Sequence, residues 1–174
     1  MIVKEKYFEI VDETLSHNFL GEIAVDCTLG KGNDTLKLLK AVGENGFVYG
    51  FDIQEEAIEK TKELLKDYKN FELFLDSHEN IDKIESFDLA IYNLGFLPGS
   101  DKKITTLRDS TLNSLKKATE KINEAGIIIV VSYLGHVNSF EEREGVDEFL
   151  RNFDQKKFKV EKREFYNQAH NPPI

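Results

Sequence analysis

The sequence predicts an α/β fold, a doubly wound, mostly parallel β-sheet with helices on both faces. Apolar strand patterns alternate with helical patterns along the chain, and parallel strands need such crossovers. The first strand, Ile23 to Asp26, leads into a turn containing Gly30 and Gly32 and then into a helix, an order typical of nucleotide-binding sheets. With 174 residues and 40% hydrophobic content, residues 1–174 are expected to form one domain.

The predicted elements follow one another in a regular order. Apolar residues at helical spacing predict helices near residues 7–18, 35–42, 57–65, 112–122 and 146–153. Apolar or alternating runs predict strands at residues 23–26, 47–52, 71–75, 87–93, 127–131 and 158–166. Gly126 is expected to turn the chain into the fifth strand, whose continuous apolar run suits burial on both faces. The last strand has mixed polarity, which suits a sheet edge.

Composition and charge argue against several protein classes. No run approaches the roughly 20 apolar residues of a membrane span, and the start lacks a signal-peptide core, so we expect a cytoplasmic protein without a membrane partner. The single cysteine, Cys27, is expected to be a packed thiol, and no zinc spacing predicts a metal site. The net charge of -9 argues against broad nucleic-acid binding. A small basic face around Lys102, Lys103 and Arg108 remains open, although such clusters are usually solvated surface.

The glycine turn narrows the choice of ligand without naming it. Its glycines allow close approach of backbone to ligand, and Asn33 or Asp34 is expected to cap the next helix. Thr35 stands where the dinucleotide fingerprint has its third glycine. A carboxylate at Asp26 would repel a pyrophosphate but could attract an ammonium group such as that of S-adenosylmethionine. The turn favours a methyltransferase over a dinucleotide enzyme and leaves both open.

Polar residues end four successive strands of the predicted sheet. They are Asp26, Asp52, Asp76 and Asn93. The carboxyl ends of parallel strands share one edge of the sheet, where ligands bind in such folds. Asp52 has the spacing from the turn at which a carboxylate receives ribose hydroxyls, from NAD or S-adenosylmethionine equally. Asp76, with Ser77 and His78, could meet an adenine amino group.

The segment after the fourth strand, residues 93–98, is expected to face a substrate. The side-chain carbonyl of Asn93 can accept a hydrogen from an amine and direct the amine lone pair at a methyl group. The competing interpretation, an asparagine in an ordinary turn, is about equally favoured by these residues alone. Tyr133 and His136 are further candidates for the pocket wall, although a lone histidine is more often structural.

Several segments together resemble one family. Residues 24–35, 51–57, 76–80, 93–102 and 167–173 are similar to the small bacterial methyltransferases labelled "putative rRNA methylase". Members of this family are understood as tRNA 5-(aminomethyl)uridine methyltransferases, which use S-adenosylmethionine to methylate the aminomethyl nitrogen of the wobble uridine. The resemblance implies a Rossmann-like class I methyltransferase fold. Family chains continue past Asn-Pro-Pro into another strand, so the last strand is expected to be missing or truncated beyond Ile174.

The resemblance also implies roles for individual residues. S-adenosylmethionine would contact Asp26, Gly30, Gly32, Asn33, Asp52, Gln54, Asp76, Ser77, His78 and Asn93. Asn93 would orient the amine, and Asp101 is the candidate for taking its proton. The predicted substrate-binding residues are Leu94, Gly95, Lys102, Tyr133 and His136.

The sequence therefore predicts an S-adenosylmethionine-dependent RNA methyltransferase that acts on 5-aminomethyl-(2-thio)uridine at the tRNA wobble position. Its partner would be the tRNA anticodon arm. Because an acidic protein needs more basic surface to hold that arm, a homodimer combining two basic patches is consistent with this function. Two alternatives stay open: an rRNA or small-molecule methyltransferase on the same fold, and a non-catalytic nucleotide-binding regulatory domain.

Overall fold

The computed structural model describes residues 7–17, 21–94, 108–132 and 139–164, and the structural statements below refer to these residues. The helices are α1 (Tyr7–His17), α2 (Asn33–Val42), α3 (Glu55–Leu64), α4 (Arg108–Lys121) and α5 (Ser139–Arg151). A 3₁₀ helix spans His78–Lys83. The strands are β1 (Ile23–Asp26), β2 (Phe47–Asp52), β3 (Phe71–Leu75), β4 (Phe87–Leu94) and β5 (Ile122–Ser132).

The five strands form one sheet in the order β3-β2-β1-β4-β5, and each neighbouring pair is parallel. The order reverses beside β1, which has β2 on one side and β4 on the other. At the end of β1, Asp26 lies opposite Gly50 of β2 and Ile91 of β4. In open parallel sheets the crevice at such a reversal is the usual ligand site. The predicted fold class is confirmed.

Two apolar clusters cover opposite faces of the sheet. One contains Ala24 and Val48 from the strands with Leu38 from α2. The other contains Val25 from β1 and Leu115 from α4. Neighbouring residues of a strand point to opposite faces, which explains why Ala24 and Val25 enter different clusters. Both clusters include residues of β1 and β4, so each of them packs on the centre of the sheet.

The beginning of β5 differs from the prediction. The strand pairs with β4 already at Ile122, leaves the register over residues 123–126, and then pairs regularly to Ser132. The Asn123 side chain donates to Asp88 Oδ1 of β4 at 2.8 Å, and Ala125 has a φ of 63°. Gly126 therefore lies within an irregular strand and does not start it. The bond from Asn123 to Asp88 keeps residues 123–126 against β4 although they leave the regular pairing.

The predicted sixth strand is absent from the described part of its range, residues 158–164. Side chains 159–164 are all exposed, so neither face of this segment is buried as a strand in the sheet would require. Its charges form ion pairs instead, for example between Lys162 and Asp147 at 2.8 Å. Residues 158–163 contribute to the wall of a groove of about 1160 Å³ beside β5 and α5.

No helix within the described ranges is long and apolar enough to cross a membrane. The longest of them, α4, has 14 residues, whereas a membrane span needs roughly 20.

Asp88 ties three strands together at the amino edge, opposite the carboxyl strand ends. Its Oδ2 accepts from the backbone N–H groups of Glu22 and Ile23, each at 2.9 Å, and its Oδ1 accepts from Asn123. Replacing Asp88 by alanine leaves these donors without their partner. We expect Asp88→Ala to lower the free energy of unfolding by about 1–3 kcal/mol in urea titrations.

Asp67→Ala is the matched control, because Asp67 is an exposed acid in a loop. It should change stability by less than about 0.5 kcal/mol. Equal stabilities for the two variants would contradict the bridging role of Asp88.

Candidate active site

The turn between β1 and α2 depends on two glycines in the left-handed region. Gly30 has a φ of 54° and Gly32 a φ of 77°. A Cβ at Gly32 would lie 2.8 Å from the Thr61 side chain and 3.1 Å from the Thr61 Cα, so only glycine fits against α3. Gly32 is itself the N-cap of α2 and no side chain caps this helix. The predicted capping by Asn33 or Asp34 is therefore wrong, since the helix starts from the glycine.

The buried Asp26 side chain stabilises this turn through two hydrogen bonds. This side chain is completely buried, and it accepts from the Thr28 N–H at 3.0 Å and from the Thr35 hydroxyl at 2.6 Å. Burial, reinforced by the nearby Asp34 carboxylate, raises the pKa of Asp26 to about 7. Thr35, at the position of the missing third glycine, thus supplies a hydrogen bond that a glycine could not.

Asp52 connects the end of β2 to the same turn. Its carboxylate accepts from the Gly30 N–H at 3.0 Å and from the Gln54 N–H at 2.9 Å. Partial burial raises the pKa of Asp52, and these backbone bonds counter the shift. The next residue, Ile53, is 58% exposed, and Leu75 at the end of β3 is 56% exposed. Two large apolar side chains thus face solvent at the carboxyl edge beside Asp52.

The end of β3 carries Asp76, Ser77 and His78. Asp76 accepts from the Ser77 N–H at 2.8 Å and pairs with Lys83, whose bond to Asp76 lowers the pKa of that carboxyl. His78 is buried, which lowers its pKa to about 4 and keeps the imidazole neutral. Its Nδ1 has no hydrogen-bond partner within the described part of the chain.

Asn93, near the end of β4, is attached to the β1–α2 turn at two points. Its backbone N–H donates to the Thr28 hydroxyl at 2.7 Å, and its side-chain Nδ2 donates to Asp34 Oδ2 at 2.9 Å. The structure therefore brings Asn93 together with Asp26 and Asp52 around one crevice. The β1–β4 pairing that flanks the crevice places the strand ends side by side.

Sequence reasoning missed Thr28 and Asp34 as site residues. The turn of a methyltransferase usually reads acid-x-Gly-x-Gly-x-Gly, and Thr28 stands at the position of its first glycine. That departure was the available signal, because a hydroxyl at this position can accept a hydrogen bond from the end of β4. Asp34 is an acid in the first turn of the helix after the glycine turn. Its position was visible in the sequence, but its partner lies 59 residues away.

A buried chain of hydrogen bonds lies behind the site. Ser114 of α4 donates to the His78 carbonyl at 2.7 Å, so the Tyr92 hydroxyl must be the donor in its 2.8 Å bond to Ser114 Oγ. Cys27 belongs to the same apolar cluster as Tyr92, and burial raises the pKa of the Cys27 thiol well above its usual range. Cys27 is therefore the packed thiol that the sequence predicts. The hydrogen-bond chain joins β4, α4 and the 3₁₀ helix.

The remaining predicted site residues lie in the core or outside the described residues. Leu94 is fully buried in the core, so its side chain packs inward. Gly95, Asp101, Lys102, Tyr133 and His136 lie outside the described residues. Among the residues that the structure does describe, no group of three or more histidine, cysteine or acidic side chains is placed to hold a metal ion.

The charges around the turn decide which cofactor chemistry fits. Asp34 and Asp52 are both close enough to Asp26 to raise its pKa, so the crevice floor is acidic. Phosphates would meet repulsion there, whereas a cation with an adenosine group would meet carboxylates and the exposed apolar surface of Ile53. The residues present thus fit a cationic, phosphate-free nucleoside.

Comparison with known proteins gives consistent results. The family model described as "Putative rRNA methylase" matches residues 48–174. The crystal structure of a putative rRNA-methylase from Clostridium thermocellum is 42% identical, with a TM-score of 0.91, over 99% of this chain and 96% of that one. A putative methyltransferase from Streptococcus mutans in complex with S-adenosylhomocysteine (SAH) is 34% identical, with a TM-score of 0.85, over 99% and 96% of the two chains.

A curated relative carries a more specific name. The chloroplastic tRNA (mnm(5)s(2)U34)-methyltransferase of Arabidopsis thaliana is 40% identical over 144 residues, which are 74% of this chain and 53% of that protein. The chain spans about half the length of the curated relatives it matches.

The buried Asp26 predicts how stability depends on pH. Because its folded pKa of about 7 exceeds the usual 3.8, the folded state binds more protons than the unfolded state between these values. The free energy of unfolding should therefore fall by about 2 kcal/mol as the pH rises from about 5 to about 8, more than in Asp26→Asn. Asparagine has the same shape and no charge, so Asp26→Asn should show a flatter profile in urea titrations.

Asp67→Asn serves as the control and should keep the wild-type slope, since Asp67 is exposed. Parallel profiles for the wild type and Asp26→Asn would show that Asp26 does not titrate in this range.

Proposed function

The chain belongs to the family described as "Putative rRNA methylase", and we propose from this premise that it is an S-adenosylmethionine-dependent RNA methyltransferase. S-adenosylmethionine is the cofactor implied by the family and by the relative solved with SAH. The observation that carries the proposal is the crevice itself. There, the Asn93 amide is held beside an acidic glycine turn at the reversal of strand order.

The proposed cofactor site is formed by residues at the carboxyl ends of β1, β2, β3 and β4. Asp52 would accept the ribose hydroxyls, since each carboxylate oxygen keeps acceptor capacity beyond its backbone bond. Ile53 would pack on one face of the adenine, and Asp76 with Ser77 would meet its amino group. The remaining proposed contacts come from the turn and from the residues beside these strand ends: Asp26, Gly30, Gly32, Asn33, Gln54, His78 and Asn93.

Asn93 would position the group that receives the methyl. When bound, S-adenosylmethionine supplies a methyl group on a positively charged sulfur and leaves as SAH. The Asn93 carbonyl accepts a hydrogen from a neutral amine and thereby directs the nitrogen lone pair. An amide has no basic nitrogen, so Asn93 orients the amine and does not remove its proton. Asp101 remains the proposed proton acceptor.

For the substrate we propose the aminomethyl nitrogen of 5-aminomethyl-(2-thio)uridine at the tRNA wobble position. Support comes from the name and 40% identity of the Arabidopsis relative, together with an acceptor at Asn93 that suits an amine. The anticodon arm would be the partner, with Leu94, Gly95, Lys102, Tyr133 and His136 on the substrate side. A homodimer would add basic surface for this arm.

A second candidate is a methyltransferase acting on ribosomal RNA. The family description and the name of the Clostridium thermocellum relative favour it. The two candidates share the cofactor site and differ in the RNA that they receive. Mass spectrometry of nucleosides separates them, because the unmethylated base accumulates in the RNA that is the true substrate.

Asp52 should be required for cofactor binding. Charge-assisted hydrogen bonds to two ribose hydroxyls contribute about 1.5–3 kcal/mol each, so Asp52→Ala should weaken SAH binding at least about tenfold in calorimetry. Glu59→Ala, an exposed acid on α3, is the control and should bind SAH like the wild type. A variant that stays folded and binds SAH with unchanged affinity would remove Asp52 from the site.

The substrate is tested in cells and with purified protein. Deleting the gene should make 5-aminomethyluridine nucleosides accumulate in tRNA while rRNA nucleosides stay unchanged. Purified protein should restore the methyl group on that tRNA. Asn93→Ala should lower kcat by roughly 10²-fold and leave the affinity for SAH unchanged. Accumulation in rRNA alone would favour the second candidate, and SAH binding without turnover on either RNA would favour a regulatory domain.

A further inference from the structure

We propose that Asp34 is a positioning residue, whose carboxylate holds the Asn93 amide so that its carbonyl oxygen, and not its NH₂, faces the amine. This inference rests on the proposed function and adds a residue that acts through Asn93. It starts from the 2.9 Å bond in which Asn93 Nδ2 donates to Asp34 Oδ2.

The chemistry of the two groups sets the orientation of the amide. An asparagine side chain has a donor at one end and an acceptor at the other, and the two ends have nearly the same shape. A carboxylate oxygen can only accept from an amide N–H. The opposite orientation would place the Asn93 Oδ1 against the Asp34 carboxylate, oxygen against oxygen. Asp34 therefore selects the orientation in which Oδ1 points away from α2.

The frame that carries both groups is rigid. Asp34 lies in the first turn of α2, two residues after Gly32, whose conformation and contact with Thr61 are tightly constrained. Asn93 is anchored at its own backbone by the 2.7 Å bond to Thr28, a residue of the same turn. Both partners are thus attached to one turn, so their separation is fixed by the local fold.

The charge of Asp34 also strengthens the acceptor. An NH₂ group that donates to a carboxylate leaves the amide more polarised, which makes its carbonyl oxygen a better acceptor. A neutral amine offers hydrogens, so it matches Oδ1. With the amide reversed, the NH₂ of Asn93 would face the amine, and the amine lone pair would be drawn toward Asn93 and away from the methyl group.

The orientation is measured first in protein without cofactor or RNA. The Asn93 side-chain NH₂ signal is identified in ¹⁵N–¹H spectra as the one that Asn93→Ala removes. The hydrogen bonded to Asp34 should be shifted downfield of the usual position for an asparagine amide hydrogen, and Asp34→Ala should abolish this downfield shift. Asp34→Asn retains an acceptor carbonyl and should preserve part of it. Glu44→Ala, an exposed acid in the loop after α2, should leave the signal unchanged.

Single-turnover methylation then measures the consequence. Asp34→Ala should lower the transfer rate about 10- to 100-fold, with SAH affinity and the KM for tRNA within about twofold of wild type. Asp34→Asn should recover only part of this loss, because an asparagine can present either end of its amide to Asn93. In an Asn93→Ala background, Asp34→Ala should cause no further loss, because its effect passes through Asn93.

Three results would overturn the proposal. They are an unchanged NH₂ signal in Asp34→Ala, a normal rate in Asp34→Ala when Asn93→Ala is slow, and a loss of rate matched by an equal loss of SAH affinity. Failure of the proposed function has a different signature. Methylation of the aminomethyl-uridine tRNA would then be absent in the wild type, while the spectra would still report the bond between Asp34 and Asn93.

Discussion

The site depends on one buried carboxylate. Asp26 ends β1 in a fully buried position, and its two oxygens accept from Thr28 and Thr35 on either side of the glycine turn. Burying a carboxylate is costly unless hydrogen bonds compensate, so the chain must wrap closely around it. This arrangement positions the Thr28 hydroxyl, which accepts from the Asn93 N–H at the end of β4. It also sets the start of α2, where the Asp34 carboxylate accepts from the Asn93 side chain. The position of Asn93 thus follows from the hydrogen bonds that the chain forms around Asp26.

Much of the fold was predictable because its signals are local or periodic. Buried Leu38 and Leu39 in α2, and the alternation that sends Ala24 and Val25 to opposite faces, follow from the spacing of apolar residues. The excursion at the start of β5 was not predictable, since it depends on a bond from Asn123 to Asp88 on another strand. The apparent strand near residue 160 failed because its alternating pattern has no buried face in the described structure.

The residues of the candidate site were likewise predictable only in part. Asp52 could be placed at a strand end from the sequence, because strand ends are visible as boundaries between apolar and polar residues. The family resemblance also pointed to Asn93. Their partners could not be found in this way, because a hydrogen bond between distant residues leaves no periodic trace. The prediction that Asn33 or Asp34 caps α2 was wrong for a related reason. The helix starts from Gly32, and the Asp34 side chain accepts a hydrogen bond from Asn93 instead.

The two bonds that hold Asn93 have a consequence for how the protein folds. They join residues 65 and 59 positions apart, so neither can form until β1 and β4 have come together from distant parts of the chain. Closing such long loops costs entropy before any contact compensates it, and a sheet with many such contacts folds more slowly than one built from local contacts. The crevice therefore forms only together with the central pair of strands, whose residues also enter both apolar clusters, so a chain that lacks the β1–β4 pairing lacks both the core and the crevice.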